Sequence, residues 1–244
     1  MAEINTIAAI ATAAGEGGVA IIRISGPAAL NIGESVFSNL PSEIQAKYLY
    51  FGKILNLKKD QVVDSGFLVY FKAPHSYTGE DTVELHTHGG VIVSREVLSL
   101  VLEHGASLAG PGEFTKRAFL NGKIDLTEAE AVCDTIKAGS LAALRAARVR
   151  AGGALIKEAM KIKEPIFELL TRIEAELDFA EDEPEEEVGR IDPTATKKLL
   201  NEAASCVEGL MATYNEGHAL KTGLNIAILG RPNAGKSSLL NLLL

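Results

Sequence analysis

The feature that most constrains this fold is a strand–loop–helix pattern near the end of the chain. An apolar run at 224–229 leads directly into 230–237, which matches G-x-x-x-x-G-K-[ST], and apolar residues then open a helix. Gly230 and Gly235 permit the tight backbone path in which successive N–H groups point at phosphate oxygens. The pattern predicts a buried parallel strand followed by a loop that binds nucleotide phosphates.

The positions of this loop carry expected roles. Lys236 is expected to reach the β- and γ-phosphates, and the Ser237 hydroxyl to ligate Mg²⁺. The residues expected to contact the nucleotide are Asn233, Ala234, Gly235, Lys236, Ser237 and Ser238. The sequence stops at Leu244, and no second magnesium-binding acid, switch loop or base-reading motif follows. We therefore expect a truncated nucleotide-binding domain with no efficient hydrolysis, and we assign no catalytic residue.

Composition and charge exclude several classes of protein. The net charge of −8 argues against binding nucleic acid by bulk electrostatics, and the 47% of hydrophobic residues favours a globular core. Cys133 and Cys206 form neither a disulfide framework nor a zinc spacing. The sequence contains no membrane-spanning run, and the first basic residue, Arg23, comes too late for a signal peptide. We expect a cytoplasmic protein that does not enter a membrane.

The first 120 residues predict a mixed α/β unit. β-Branched runs bounded by glycine, proline and serine indicate strands, and apolar residues at helical spacing indicate helices. The predicted strands are 19–24, 65–71 and 82–88, and the predicted helices are 28–37 and 91–103.

The chain then becomes helical. Thr127 followed by Glu130 fits a capping box at the start of a helical stretch that continues to about 179. An interruption is predicted at Gly152-Gly153, and a kink or a break at Pro165, because proline lacks a backbone donor. A second helical stretch is predicted over 193–216, and the acidic run 181–187 between the two reads as a solvated loop.

Two groups of charged residues admit both a structural and a functional interpretation. The basic stretch 137–163 either contacts RNA phosphates or pairs with neighbouring acids, and we favour pairing. Glu84, His86 and His88 alternate along a predicted strand and share one face, as metal ligands can. We favour no metal there, because His88 reads more simply as part of a His-Gly-Gly turn.

Several sequence blocks identify a family. The phosphate loop, GRPNAGKSSLLN, resembles GTPases of the Era-like group. The upstream blocks are GGVAIIRISG at 17–26, YTGED at 77–81, HGG at 88–90 and GPGEFTKRAFLNGK at 110–123. A further short block, Asp178-Phe179, comes just before the acidic run. In order and spacing, these blocks resemble the MnmE (TrmE) family over the whole chain.

The resemblance implies a fold and a function. The implied domains are an α/β folate-binding and dimerisation domain at 1–120, similar to glycine-cleavage aminomethyltransferases, an incomplete α-helical domain at 121–222, and the truncated start of a P-loop GTPase domain at 223–244. The family works with a flavin-dependent partner, MnmG (GidA). It adds an aminomethyl or carboxymethylaminomethyl group to carbon 5 of the wobble uridine in certain tRNAs. A tetrahydrofolate derivative supplies the carbon, and GTP hydrolysis depends on potassium and G-domain dimerisation.

The resemblance also implies site residues. Arg23, Glu80 and Lys123 match the family's folate contacts. One carboxylate can accept the adjacent N–H donors of a pterin edge, which suits Glu80. Arg23 and Lys123 suit the anionic glutamate tail or the pterin carbonyl, and which binds which stays open. Asn233 matches a potassium ligand and Ser237 the magnesium ligand.

Other functions compete with this interpretation. A different Era-like GTPase with an unrelated leader predicts guanine-nucleotide function without folate binding. A dimerising folate-binding module predicts binding without turnover. A folate-dependent aminomethyltransferase is a third alternative, against which the phosphate loop argues. The family's C-terminal tail, which bears a cysteine and a lysine, is not in this sequence, and neither Cys133 nor Cys206 matches it. Guanine as the base rests on the resemblance alone.

Overall fold

The computed structural model describes residues 5–179 except 57 and 59, together with 192–222 and 226–243. It divides into two compact units, Met1–Ala129 and Glu130–Leu244. The acidic run at 181–187, predicted to be a solvated loop, lies outside the described residues.

The first unit is built on a six-stranded sheet. Its strands are β1 Ile7–Ile10, β2 Ala20–Ser25, β3 Leu49–Asn56, β4 Gln61–Phe71, β5 Thr82–Thr87 and β6 Ser107–Leu108. They lie in the order β3-β4-β5-β2-β1-β6, and all neighbours are antiparallel except β1 and β6. The three predicted strands are confirmed as β2, β4 and β5. Strands β1, β3 and β6 were not predicted from the sequence.

Two helices cover one face of this sheet. The helices of the first unit are α1 Ala29–Val36, α2 Val91–Glu103 and α3 Glu113–Leu120. On the covered face, Ile22 lies beside Leu85 and Leu85 beside Leu68, all with no exposed surface. Gly33 of α1 lies so close to the sheet that a Cβ there would meet the Val83 side chain at 3.0 Å. The predicted helices α1 and α2 are therefore confirmed as the elements that close the core.

The opposite face of the sheet carries polar side chains. Arg23 of β2 lies beside Glu84 of β5, and Ile21 lies beside His86. Because side chains alternate along a strand, these residues point away from the core that contains Ile22. Arg23 and Glu84 therefore lie outside the core and are placed to form a site on the second face of the sheet.

The remaining helices follow in the second half of the chain. They are α4 Leu126–Lys137, α5 Leu141–Ala151, α6 Ala154–Phe179, α7 Pro193–Ala212, α8 Tyr214–Thr222 and α9 Lys236–Leu243. The predicted interruption at Gly152-Gly153 is confirmed, whereas a second one at 138–140 was not predicted. The stretch predicted over 193–216 is divided at Thr213.

The structure refines two local predictions about these helices. Helix α6 is not broken at Pro165, because the loss of one backbone donor does not end a helix of 26 residues. The alternative expectation at Pro165, a kink, stays a prediction. The capping box of α4 lies two residues earlier than predicted. Asp125 Oδ1 accepts from the Glu128 N–H at 2.8 Å, and Glu128 Oε2 accepts from the Asp125 N–H at 2.8 Å. The Thr127 hydroxyl donates to Asp125 instead of capping the helix.

The strand predicted at 224–229 is not found in its described part. Residues 226–229 are not in a strand, and Ile226 and Leu229 are 82% and 89% exposed. A strand requires a neighbour for its backbone hydrogen bonds, and none of the strands in the described parts of the chain pairs with this segment. The loop and the helix α9 after it form without one. Within the described residues, the helices are too short or too polar to cross a membrane.

Candidate functional site

The loop between β4 and β5, residues 74–81, is the centre of the candidate site. Two side chains just after α3 donate hydrogen bonds to backbone carbonyl groups of this loop. The Lys123 ammonium donates to the Pro74 carbonyl oxygen at 2.9 Å. The Asn121 amide donates to the Thr78 carbonyl oxygen at 2.8 Å. The polar residues at the end of the 110–123 block thus bond the 74–81 loop.

Buried hydroxyl groups hold the loop from beneath. Ser25 and Thr78 have no exposed surface, and Thr82 is 2% exposed. The Ser25 Oγ lies 2.7 Å from the Thr78 Oγ1 and donates to Glu80 Oε2 at 2.8 Å. Because buried hydroxyls are costly without partners, this arrangement fixes the position of the Glu80 carboxylate.

Arg117 of α3 contacts the same carboxylate. Its Nη1 donates to Glu80 Oε2 at 3.2 Å and to Oε1 at 3.3 Å, and its Nη2 donates to Glu113 Oε1 at 2.9 Å. It also reaches back to the start of the chain, where it donates to Asn5 O at 2.8 Å and Asn5 Oδ1 at 2.9 Å. The sequence analysis missed Arg117. Its signal was the four-residue spacing from Glu113 inside the longest family block.

Glu113, the first residue of α3, accepts a backbone hydrogen bond as well as pairing with Arg117. The Gly110 N–H donates to Glu113 Oε2 at 2.7 Å. That hydrogen bond lowers the pKa of Glu113; burial acts in the opposite direction, and the pairing with Arg117 lowers it further. The Arg117 guanidinium is therefore shared by ionised Glu113 and by Glu80.

Arg23 is held on several sides of its guanidinium group. Its Nη2 and Nε approach Glu84 Oε1 at 2.7 and 2.8 Å. The rings of Tyr77 and Phe114 lie 5.4 and 5.6 Å from its Cζ, within the range of cation–π attraction. Arg23 thus lies next to Tyr77 of the 74–81 loop, with its side chain 26% exposed.

His86 of β5 and His88, which follows this strand, have protein partners. His86 Nε2 lies 3.3 Å from Glu84 Oε2, and His88 Nδ1 lies 2.8 Å from Asp64 Oδ1. Among the residues that the structure describes, no group of three or more His, Cys, Asp or Glu side chains is arranged to hold a metal ion. Burial acts to raise the pKa of Asp64, but hydrogen bonds from His88 and Ser65 outweigh it and leave that pKa lowered.

The structure brings the three predicted folate contacts to one loop. Glu80 lies in the 74–81 loop, Lys123 crosses it to Pro74, and Arg23 lies against its Tyr77. A carboxylate acceptor, an arginine near two aromatic rings and an exposed lysine suit a flat heterocycle with N–H donors and an anionic tail. Within this arrangement we identify binding groups and no nucleophile.

The phosphate loop has a different environment. Lys236 donates to the carbonyl oxygens of Gly230 at 3.2 Å and Arg231 at 2.8 Å, and helix α9 begins at this residue. Asn233 and Gly235 have φ values of 61° and 82°, which bend the loop around the lysine. The predicted contact residues are exposed except Lys236, which is half-buried. The bend and the first helical turn, which contains Ser237, fit phosphate and Mg²⁺ binding.

Two residues of the basic stretch pair with acidic side chains. Arg150 pairs with Asp134 at 2.9 Å and Lys161 with Glu158 at 2.7 Å. For these residues the contacts agree with the structural interpretation that the sequence favoured.

Comparison with known families settles the relationship. Residues 6–123 match the family model described as GTP-binding protein TrmE N-terminus, and residues 126–238 match the MnmE helical domain. The chain belongs to the MnmE family. The first match contains Arg23, Glu80 and Lys123, and the second extends through Ser237 of the phosphate loop.

Curated relatives are similar in sequence along almost the whole chain. Proteins named tRNA modification GTPase MnmE are 42% identical in Carboxydothermus hydrogenoformans, 43% in Geotalea uraniireducens and 45% in Geobacter sulfurreducens. Each alignment covers 98% of this chain and 52% of the relative. The chain therefore spans about half the length of these MnmE relatives.

Proposed function

We propose that this chain is the folate-binding and helical portion of a tRNA modification GTPase, followed by the start of its nucleotide-binding domain. The domains of this proposal are 1–120, 121–222 and 223–244. The observation that carries it is the meeting of Arg23, Glu80 and Lys123 at one loop in a chain of the MnmE family.

The proposed reaction modifies a wobble uridine. Together with a flavin-dependent partner, MnmG (GidA), the whole protein adds an aminomethyl or carboxymethylaminomethyl group to carbon 5 of that base in certain tRNAs. A bound tetrahydrofolate derivative supplies the one-carbon unit. The residues of this chain bind and orient it: Glu80 accepts N–H donors of the heterocycle, while Arg23 and Lys123 face its carbonyl or carboxylate groups.

The phosphate loop serves the GTP-dependent part of this activity. Asn233, Ala234, Gly235, Lys236, Ser237 and Ser238 surround the GTP phosphates in this proposal, Ser237 ligates magnesium and Asn233 contributes to a potassium site. The left-handed backbone at Asn233 and the bend around Lys236 support this role. The protein acts as a cytoplasmic homodimer whose first domain makes the dimer contact.

For the chain as it stands, a folate-binding module without turnover is the second candidate. The exposed, unpaired segment 226–229 favours it, because in P-loop proteins a sheet supports the phosphate loop. We expect no GTP turnover by residues 1–244 alone.

The test is a calorimetric titration with 5-formyltetrahydrofolate. We expect binding by the wild type, and a loss of affinity of tenfold or more, about 1.4 kcal/mol, in Arg23→Ala and in Glu80→Ala. Arg95→Ala and Glu34→Ala are matched controls, because both residues are exposed on helices of the covered sheet face. A folded wild-type chain that does not bind, or controls that weaken binding as much as the site variants, would contradict the proposal.

A further inference from the structure

The oxygens of the Glu80 carboxylate have unequal environments. Oε2 accepts from the Ser25 hydroxyl at 2.8 Å and from Arg117 Nη1 at 3.2 Å. Among the residues that the structure describes, Oε1 has only the 3.3 Å contact to the same Arg117 nitrogen. A carboxylate oxygen offers about two acceptor positions. Both positions of Oε2 are therefore in use, while Oε1 keeps one for an incoming donor.

This asymmetry changes the expectation for ligand binding. A ligand that approached both oxygens with adjacent N–H donors would have to displace Ser25 or Arg117 from Oε2. Ser25 has no exposed surface and also bonds Thr78, so it is not easily displaced. The acceptor position that these contacts leave unused lies on Oε1, which makes Glu80 a directional acceptor for one donor of the ligand.

Ser25 makes the two oxygens unequal, and Arg117 holds the carboxylate that carries them. The Arg117 side chain is 11% exposed, and it is anchored independently of Glu80 by Glu113 at 2.9 Å and by Asn5 at 2.8 and 2.9 Å. An arginine held by three other acceptors has a fixed guanidinium plane, so it presents Nη1 at a defined place. Lysine has a single nitrogen and cannot reproduce these contacts together.

We infer that Arg117 is a positioning residue, which orients Glu80 so that Oε1 accepts an N–H of the bound heterocycle without itself touching the ligand. This inference rests on the proposed folate function. It adds to it the residue that sets the orientation of the recognition carboxylate and the oxygen that the ligand uses.

The test is a double-mutant cycle between Arg117 and Glu80, read by titration with 5-formyltetrahydrofolate. Arg117→Ala is expected to lower the affinity about tenfold, and Arg117→Lys to restore part of it. In a Glu80→Gln background, Arg117→Ala should add almost nothing, because the two residues act through one contact. Lys116→Ala, an exposed neighbour on α3, is the matched control and should bind like the wild type.

A second measurement on the same proteins separates positioning from a loss of folding. Amide hydrogen exchange is followed in peptides from the 74–81 loop and from α2. Arg117→Ala should raise exchange in the loop and leave α2 unchanged, and it should cause no further rise when Glu80 is already glutamine. Equal changes in both peptides would show a general structural role and overturn the inference.

The outcomes distinguish the inference from the function on which it rests. Wild-type affinity in Arg117→Ala, or losses that multiply in the double variant, would overturn the role of Arg117 and leave folate binding intact. A folded wild type that binds no folate would reject the proposed function. In that case amide exchange in the 74–81 loop still tests the contact between Arg117 and Glu80. An exchange rate that rises in Arg117→Ala, but does not rise further when Glu80 is already glutamine, supports the positioning contact. An unchanged rate in Arg117→Ala rejects it.

Discussion

The two candidate sites of this chain, the 74–81 loop and the phosphate loop at 230–237, are held by different kinds of contact. The first is fixed by side chains that are distant in sequence, since Arg117 and Ser25 both bond Glu80. In the second, the described side-chain contact is local, because Lys236 bonds carbonyl oxygens five and six residues before it. Local sequence is thus sufficient to form a phosphate loop and its helix, whereas the 74–81 site needs contacts between distant parts of the first unit.

The largest contrast between these regions should appear in stability. Leu68→Ala removes a side chain with no exposed surface from the core beneath the sheet and should cost about 2–5 kcal/mol. Leu229→Ala, at a residue that is 89% exposed, should change the free energy of unfolding by less than about 0.5 kcal/mol. Urea denaturation followed by circular dichroism measures both. Similar losses would show that 226–229 is packed in solution.

The buried hydroxyls of the first site should have the next largest effect. Thr78→Val leaves the Ser25 hydroxyl without its 2.7 Å partner and should cost about 1–3 kcal/mol in the same experiment. Thr135→Val, at an exposed position of α4, is the control. If both variants unfolded at the wild-type urea concentration, the hydroxyl cluster would not be what fixes Glu80.

Sequence reasoning succeeded where the pattern is local. The strands β2, β4 and β5 and the helix α2 follow from apolar spacing and glycine or proline boundaries. The family blocks identified Arg23, Glu80 and Lys123, which the structure brings to one loop. Their folate role stays a prediction, because the geometry describes contacts within the protein.

Sequence reasoning failed where tertiary contacts decide. The apolar run at 224–229 has the composition of a buried strand, but a strand forms only beside a neighbour. Arg117 was missed because its spacing to Glu113 resembles an ordinary surface pair, and its contact with Glu80 joins residues 37 apart in sequence. The capping box of α4 was misplaced because Asp125 and Thr127 both precede a glutamate by three residues.

The turn after β5 gives a smaller effect that depends on pH. Because the folded-state pKa of Asp64 is lowered, its contribution to stability is present above the ordinary value of 3.8 and is lost as the pH falls through the folded value. Asp64→Asn should cost about 1 kcal/mol at neutral pH, since His88 is 71% exposed and solvent weakens the pair. Denaturation from pH 7 downward should show a flatter acid limb in this variant. An unchanged limb would contradict the role of Asp64.

The smallest effect is expected at the phosphate loop. Lys236→Met removes the hydrogen bonds to Gly230 and Arg231 but should change the free energy of unfolding by less than about 0.5 kcal/mol and leave folate affinity unchanged.

Lys123→Met, which removes one hydrogen bond to Pro74, should change the free energy of unfolding equally little but should weaken 5-formyltetrahydrofolate binding in calorimetry. Loss of folate binding in Lys236→Met would link the two sites and break the comparison.

The most direct test of the central claim is amide hydrogen exchange of the wild-type chain with and without 5-formyltetrahydrofolate, followed by mass spectrometry. The account predicts slower exchange on binding in peptides from the 74–81 loop and from 110–123, and no change in peptides from 230–237. Protection confined to the phosphate loop, or none in the 74–81 loop at a ligand concentration that saturates calorimetric binding, would contradict it.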